Sequence, residues 1–238
     1  MPPRATTQAG TPGTPWPPGS LLFDLTEPSR QRLLTLGAKS QYADPGRILI
    51  REGESSTVVF LLLAGTVKVT GATDEGDALL AIRVGGDVVG ELSALDGRPR
   101  LATVTTAGPV IARVIGRAEF AGLLGRDAEL AAAIARSIAD KLRSATSRRI
   151  DFAGCDVTTR LARVLLDLAE RYGKQATTGR TIGCPLTQTE LATLIGAGEP
   201  TVQRTLRQLK AGGIVATGYR ETTIIDMDRL RDCAFPGL

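Results

Sequence analysis

The sequence predicts an α+β chain of two domains joined by one long helix. Three observations predict it: short β-rich segments punctuated by glycines in the first half, a stretch free of Gly and Pro over residues 127–150, and short helices followed by a hairpin near the C-terminus. The length of 238 residues fits two ordinary domains. Because aromatic residues make up only 4% of the chain, aliphatic side chains must build the cores.

The first segment, residues 1–20, is rich in Pro, Gly and Thr, and we expect it to be a disordered tail. It lacks the apolar stretch of a signal peptide, and no later apolar run is long enough to span a bilayer. The three cysteines, Cys155, Cys184 and Cys233, are widely spaced, which favours reduced thiols over a zinc site or a disulfide framework. We therefore expect a cytoplasmic protein without a membrane partner.

The chain contains no histidine. This excludes Ser-His-Asp and Cys-His catalysis, His-ligated haem and most zinc sites. Acidic residues do not cluster as a hydrolytic metal centre would require, which argues against a cyclic-nucleotide hydrolase. We expect neither an enzyme nor a metal site.

Residues 21–126 predict a β-roll that follows a short helix over residues 28–39. Turn residues separate the β-rich segments at close, regular intervals, as in a sandwich or a barrel-like roll. The predicted strands are Arg47 to Arg51, Thr57 to Leu63, Thr66 to Gly71, Ala78 to Val84, Asp87 to Val89, Ala102 to Thr106 and Val110 to Ile115.

Residues 127–155 predict a long helix and a hinge. One apolar stripe recurs at steps of three and four residues. It consists of Leu130, Ile134, Ile138, Leu142 and Ala145. A narrow stripe of this kind packs either on a second copy of the helix or on the chain's own β-roll, and the pattern leaves both open. We expect the hinge at Phe152 to Gly154.

Residues 156–238 predict a helical domain that ends in a hairpin. Asp156 has the position of an N-cap, and a polar loop is expected from Tyr172 to Gly183. Thr187 and Glu190 have the spacing of a capping box at the start of a short helix. Gly196 then supplies a tight turn, and a second helix begins near Glu199-Pro200, which predicts a helix-turn-helix.

The second helix of this pair has an apolar and a basic face. Val202, Leu206 and Leu209 point one way, whereas Gln203, Arg204, Arg207 and Lys210 fall on the other side. Amide and guanidinium groups read base edges in a major groove and neutralise phosphate. A plain helical hairpin with solvated basic residues would show the same pattern. Two further strands, 214–217 and 222–225, form a wing whose tip carries Arg220.

Four motifs in this order resemble those of the Crp–Fnr superfamily. GGDVVGEL at 85–92 with PRLAT at 99–103 is similar to the phosphate-binding cassette of cyclic-nucleotide domains. LRSATS at 142–147 is similar to the central helix, and CDVTTRLA at 155–162 to the hinge and the helix after it. GAGEPTVQR at 196–204 is similar to the recognition turn. The resemblance implies a double-stranded β-helix of jelly-roll type, a dimerisation helix and a winged helix-turn-helix.

The resemblance also implies an effector site for cyclic AMP or another cyclic nucleotide. Glu91 would take the ribose 2′-hydroxyl, and Arg100 the cyclic phosphate. Leu101 stands where cyclic-AMP binders carry a serine, so one phosphate donor is missing. The expected effector-binding residues are Gly90, Glu91, Leu92, Arg100, Leu101, Thr146 and Ser147.

The expected DNA-binding residues come from the helix-turn-helix and the wing. Arg204 matches the family's base-reading arginine and Thr201 a phosphate-contacting threonine. Glu199 and Pro200 replace the two other base readers, so the operator should differ from the cyclic-AMP-receptor consensus. The full set is Thr187, Gln188, Glu199, Pro200, Thr201, Gln203, Arg204, Arg207 and Arg220.

The sequence therefore predicts a ligand-responsive homodimer that binds double-stranded DNA and contacts RNA polymerase. A second interpretation remains open, in which the protein no longer senses a cyclic nucleotide and binds DNA constitutively or with another effector. The branch of the superfamily that carries an iron–sulfur cluster on N-terminal cysteines is excluded, because no cysteine precedes Cys155. The branch that binds haem through a histidine is excluded, because the chain contains no histidine.

Overall fold

The computed structural model describes residues 16–237, which fold into an N-terminal β-roll, a long helix and a C-terminal helical domain. Two four-stranded antiparallel sheets build the β-roll within this range, with strand orders β1-β8-β3-β6 and β2-β7-β4-β5. The strands are β1 (Ala38–Tyr42), β2 (Ile48–Ile50), β3 (Val59–Ala64), β4 (Thr66–Thr73), β5 (Gly76–Val84), β6 (Val88–Val89), β7 (Thr103–Thr106) and β8 (Val110–Ile115).

Four short helices accompany these strands within the described range: α1 (Leu21–Asp24), α2 (Glu27–Thr35), α3 (Glu91–Asp96) and α4 (Arg117–Leu124). The predicted helix over residues 28–39 is too long. α2 ends at Thr35, and Ala38–Tyr42 forms β1 at the edge of its sheet. Its residues AKSQY are mostly polar and exposed, so they lack the apolar alternation that marks a strand.

The structure describes only residues 16–20 of the predicted tail, because residues 1–15 lie outside the described residues. Residues 16–20 lie against the β-roll: Trp16 Nε1 donates to the carbonyl of Leu63 at 3.0 Å, and Ser20 is buried. The expectation of a disordered tail therefore does not extend to residues 16–20.

Helix α5 (Ala128–Gly154) begins at Asp127, whose side chain accepts from the amide of Leu130 at 3.0 Å. Its predicted apolar stripe divides between two environments. Leu130 and Ile134 are buried against the β-roll and Ile138 packs beside them, whereas Leu142 is 66% exposed and Ala145 is exposed. Only the first part of the stripe is therefore covered by other residues of the same chain.

The hinge lies later than predicted, because Phe152 to Gly154 are still helical. α5 ends at Gly154, and Cys155 has an extended backbone before α6 (Val157–Tyr172). Asp156 caps α6 as predicted, accepting from the amide of Thr159 at 2.7 Å.

The C-terminal domain packs around α6, whose Leu161, Leu165 and Ala169 are fully buried. The expected polar loop from Tyr172 to Gly183 is wrong, because it forms a hairpin of two short strands. Among the described residues, the remaining elements are β9 (Gly173–Ala176), β10 (Gly179–Ile182), α7 (Gln188–Ile195), α8 (Glu199–Ala211), β11 (Val215–Gly218), β12 (Glu221–Ile224) and α9 (Met227–Ala234). The four strands form one sheet in the order β11-β12-β10-β9.

Candidate effector pocket and DNA-binding surface

The predicted cassette lies at the junction of β6 and α3. Gly90 has a φ of 84°, and a Cβ there would meet Arg100 Nη1 at 2.7 Å and the Val58 carbonyl at 2.9 Å. Glycine is required because L-residues avoid this conformation and the site has no space for a side chain. The turn starts α3 at Glu91 and brings Glu91 and Arg100, both buried, to the same part of the β-roll.

Arg100 is held by acceptors of the β-roll itself. Its Nε donates to Ser56 Oγ at 3.1 Å, Nη1 to the Gly90 carbonyl at 2.9 Å and Nη2 to the Val58 carbonyl at 2.6 Å. Burial lowers the pKa of Arg100, and the carboxylates of Glu54 and Glu91 oppose that shift. Since a guanidinium has five N–H groups, two remain for an anion.

Glu91 is bound by a lysine of α5. Lys141 Nζ lies 2.9 Å from Glu91 Oε1 and also donates to the Val88 carbonyl at 2.8 Å. A ligand hydroxyl at Glu91 must therefore share the carboxylate with Lys141 or displace Lys141 from it. This ion pair links the cassette to the long helix directly, and no local sequence signal pointed to Lys141.

The other expected effector residues are exposed. Leu92 is partly exposed on α3, and Leu101 is 74% exposed beside Arg100. Thr146 and Ser147 are exposed on α5. Ser147 lines a crevice between α5, α6 and β5 instead of meeting Glu91 and Arg100. Within one chain, the expected effector set is therefore brought together only in part.

The helix-turn-helix has its predicted boundaries. Thr187 and Glu190 form a complete capping box, with the Glu190 amide 3.1 Å from Thr187 Oγ1 and the Thr187 amide 2.8 Å from Glu190 Oε2. Gly196 ends α7 in the left-handed conformation with φ 60°, which permits the tight turn into α8. Gln188, at the start of α7, is exposed.

Helix α8 separates an apolar and a basic face as predicted. Val202, Leu206 and Leu209 are buried, whereas Gln203, Arg204, Arg207 and Lys210 are exposed. Because the apolar face anchors α8 on the domain core, the basic face points away from that core.

The first turn of α8 is tied to α7. Glu199 accepts from Thr189 Oγ1 at 2.7 Å, so its carboxylate braces the two helices. Pro200 is exposed in the first turn, where its missing N–H costs nothing. Thr201 is half-buried, and its carbonyl accepts from Thr205 Oγ1 at 2.9 Å.

The wing is the β11–β12 hairpin, and its turn carries Tyr219 and Arg220. Arg220 is exposed with a φ of 54°, and its guanidinium lies 5.7 Å from the ring of Tyr219. The turn therefore presents a cation and an aromatic ring to solvent.

Helix α7 also contacts the β-roll, which the sequence did not predict. Lys68 on β4 pairs with Glu190 at 2.6 Å, and the amide of Leu79 on β5 donates to Thr193 Oγ1 at 3.0 Å. Leu79 and Ile82 share one buried cluster with the side chains of the helix-turn-helix. The two domains are thus in direct contact away from α5.

Residues 16–237 include no helix that is long and apolar enough to cross a membrane. The same range includes no group of three or more His, Cys, Asp or Glu side chains placed to hold a metal ion.

Comparison with protein families finds two matches that together cover most of this architecture. The model of the cyclic nucleotide-binding domain matches residues 40–127, and the model of the Crp-like helix-turn-helix domain matches residues 159–233.

Two curated relatives match over most of their own length. The chain is 30% identical over 210 residues to the CRP-like cAMP-activated global transcriptional regulator of Mycobacterium tuberculosis, which covers 88% of this chain and 94% of that protein. It is 28% identical over 172 residues to the cAMP-activated global transcriptional regulator Vfr of Pseudomonas aeruginosa, over 70% of this chain and 80% of that one.

A solved structure has the same fold at lower identity. The c-di-GMP responsive global regulator CLP of Xanthomonas campestris superimposes with a TM-score of 0.71 and 21% identity, over 84% of this chain and 100% of that chain.

Proposed function

This chain belongs to the CRP-like family of transcription regulators, in which a cyclic nucleotide-binding domain is joined to a Crp-like helix-turn-helix, and from that premise we propose how it works. Two chains pair along α5, present their α8 helices to successive major grooves of double-stranded DNA, and adjust that presentation when an effector occupies the β-roll. The domains are the β-roll over 21–126, the helix and hinge over 127–155 and the DNA-binding domain over 156–238.

The basic face of α8 is the observation that carries this proposal. Gln203, Arg204 and Arg207 are exposed while the opposite face is buried, so all three reach outward from a rigidly anchored helix. Arg204 contacts a base edge, Gln203 contacts an adenine or a phosphate, and Arg207 contacts the DNA backbone. Thr187, Gln188, Thr201 and Arg220 contact flanking phosphates, and Glu199 and Pro200 set the position of the first turn.

The exposed part of the α5 stripe supports the dimer. Leu142 and Ala145 continue the spacing of Ile138 toward the hinge, and burying one leucine contributes about 1.5–3 kcal/mol. A second copy of α5 would cover this stripe at the spacing of a coiled-coil seam. The dimer then sets the two α8 helices about one helical turn of DNA apart.

Cyclic AMP or another cyclic nucleotide is the effector that the β-roll supports best. Arg100 keeps two N–H groups for a phosphate, and Glu91 offers a carboxylate for a ribose hydroxyl. The ion pair of Glu91 with Lys141 would pass a change at the cassette to α5. Because the whole effect is a population shift, the effector must bind one dimer geometry more tightly than the other.

A second candidate function is a regulator that does not respond to a cyclic nucleotide. It is favoured by Leu101, an exposed apolar side chain at the position of a phosphate donor, and by the three β-roll acceptors that already hold Arg100. In either case we propose a cytoplasmic protein that acts with RNA polymerase.

Selection of binding sites from random duplex DNA, followed by mobility shift on the recovered site, tests the proposal. We expect a two-fold symmetric site bound by a dimer, and cyclic AMP should change the affinity. Tight, specific binding that no cyclic nucleotide alters would favour the second candidate. Failure to enrich any sequence would overturn both.

A further inference from the structure

A crevice of about 740 Å³ opens between β5, α5 and α6, and its lining includes neither Glu91 nor Arg100 of the cassette. It is bounded by Arg83 of the β-roll, Ser147 and Arg148 of α5, and Asp167 and Tyr172 of α6. Ser147 lies on the face of α5 opposite to Leu142, as helical spacing requires. A partner helix that covers Leu142 therefore leaves the side of the crevice formed by Ser147 uncovered.

The charges around the crevice do not balance. Within residues 16–237, five arginines and three aspartates line it. Each aspartate is already paired: Asp167 with Arg171 at 2.6 Å, Asp140 with Arg143 at 3.3 Å, and Asp151 with Arg163. In the part of the chain that the structure describes, the two lining arginines without an ion pair are Arg83 and Arg148.

Arg148 is half-buried, and among the described residues it has neither an ion pair nor a side-chain hydrogen bond. Burial lowers the pKa of its guanidinium, and the positive charge of Arg83 lowers it further. An incompletely solvated cation of this kind is unfavourable unless an anion compensates it.

Arg83 faces the same crevice and is also available. Its Nη1 donates to the carbonyl of Ile82 at 2.8 Å, which leaves other N–H groups of the guanidinium. The charges of Arg83 and Asp87 attract each other, but the two side chains form no ion pair, and Asp87 accepts from the amide of Val84 at 3.1 Å. Burial raises the pKa of Asp87, which weakens it as a counter-ion.

Two unpaired guanidiniums from different elements suit a phosphate. A carboxylate is satisfied by one bidentate arginine, whereas the oxygens of a phosphate accept from two arginines at once. Val164, Leu168 and the ring of Tyr172 supply an apolar wall next to the charges. The volume lies within the range of small-molecule sites, about 300–1,000 Å³.

We propose that this crevice is a second effector site, which binds a phosphate-bearing small molecule of about nucleotide size between Arg83 and Arg148. The ligand would join the β-roll to α6 and so favour the arrangement in which the two domains touch. Binding itself does not depend on the proposed function. The effect of this binding on the affinity for DNA does depend on the proposed function.

Calorimetric titration of the full chain with adenosine 5′-diphosphate and with inorganic pyrophosphate tests the site, with succinate as the carboxylate control. We expect saturable binding of both phosphates and tighter binding than succinate. Arg148→Gln and Arg83→Gln should each weaken binding about tenfold or more, because each removes a charge-assisted contact. Arg148→Lys should retain most of the binding.

Arg143→Gln is the matched control, because Arg143 lines the same crevice but is paired with Asp140. It should change the affinity by less than about threefold, as suits an exposed pair, and Arg100→Gln should not change it. Arg204→Ala should also leave it unchanged, which separates this site from DNA binding.

Three results would overturn the proposal. The first is no saturable binding of either phosphate by the unaltered chain, which needs no variant to fold. The second is equal weakening in Arg143→Gln and Arg148→Gln. The third is loss of binding in Arg100→Gln alone, which would place the phosphate in the cassette.

Discussion

Lys68 and Glu190 form an ion pair between domains, with 2.6 Å between Nζ and Oε1 across 122 residues of the chain. Both side chains are largely shielded from solvent. Since Glu190 also completes the capping box of α7, the same carboxylate orders the helix-turn-helix and attaches it to the β-roll. Strand β4 of the β-roll therefore contacts the DNA-binding domain directly, in addition to the connection through α5.

Lys68→Gln should loosen this attachment without unfolding either domain. A shielded ion pair contributes about 1 kcal/mol, so the domain contact should open about fivefold more often. Hydrogen exchange at the amide of Leu79, which donates to Thr193 Oγ1, measures that opening. Lys39→Gln, an exposed lysine on β1, is the control. Unchanged exchange at Leu79 would mean that apolar packing alone holds the contact.

Arg204→Ala should weaken DNA binding by about 1–3 kcal/mol and relax the base preference at one position. Its side chain is exposed on the basic face of α8, and its loss removes a guanidinium without disturbing Val202 or Leu206 beneath it. Affinities for the selected site and for single-base variants check this. Arg231→Ala, which breaks ion pairs with Asp228 on α9 and with Glu170 on α6, is the control. Equal weakening on every sequence would make Arg204 a phosphate contact.

Asp127 should make the start of α5 sensitive to acid. Its carboxylate accepts from the amide of Leu130, from Arg32 and from Ser29, and these bonds hold its pKa below the usual 3.8. A carboxyl with a lowered folded pKa stabilises the fold fully above its unfolded value. That contribution is lost as the pH falls below 3.8 through the folded pKa.

Asp127→Asn should therefore lower the free energy of unfolding at neutral pH and flatten its decline below pH about 4. Urea unfolding between neutral and acid pH measures both. Asp228→Asn, an exposed carboxylate on α9, is the control. An unchanged acid dependence in Asp127→Asn would contradict the assignment.

The three thiols should react at different rates. Burial raises the pKa of Cys184 to about 12, whereas Cys155 and Cys233 are half-buried. Because the thiolate is the nucleophile, only about one Cys184 in 10,000 is reactive at pH 8. A disulfide reagent should label two thiols in the folded protein and the third only after unfolding. Rapid labelling of all three would contradict the packing around Cys184.

Local signals explain which parts of the fold were predictable. Thr187, Glu190 and Gly196 fix the helix-turn-helix within ten residues of chain, and its boundaries follow from the sequence. β1 and β9 are edge strands with the sequences AKSQY and GKQA, and β10 between β9 and β12 has the sequence GRTI, so the apolar alternation that marks a strand is missing in all three.

The sites depend on contacts that no local pattern records. Lys141 meets Glu91 across 50 residues, and Arg83 of β5 lines the same crevice as Arg148 of α5 although the two are far apart in the sequence. The family resemblance supplied Glu91 and Arg100 as candidates, but it did not supply the acceptors that hold Arg100. Ser147 has the expected type and spacing, and yet it lines a different crevice.

Leu101→Ser should raise the affinity for cyclic AMP, and it decides between the two interpretations of the cassette. Leu101 is 74% exposed next to Arg100, so a serine fits without repacking the core. A hydroxyl there adds one donor to the two free N–H groups of Arg100. Because a hydrogen bond to a charged group contributes about 1.5–3 kcal/mol, binding should tighten about tenfold or more.

Leu101→Ala is the control for this variant, because it removes the apolar side chain and adds no donor. Calorimetry should find little gain in Leu101→Ala and a clear gain in Leu101→Ser. An equal gain in both would mean that the leucine blocks the pocket sterically. If neither variant binds cyclic AMP, the acceptors Ser56, Val58 and Gly90 hold Arg100 too firmly for a phosphate to compete. The cassette would then have a structural role, and the control of DNA binding would lie elsewhere in the chain.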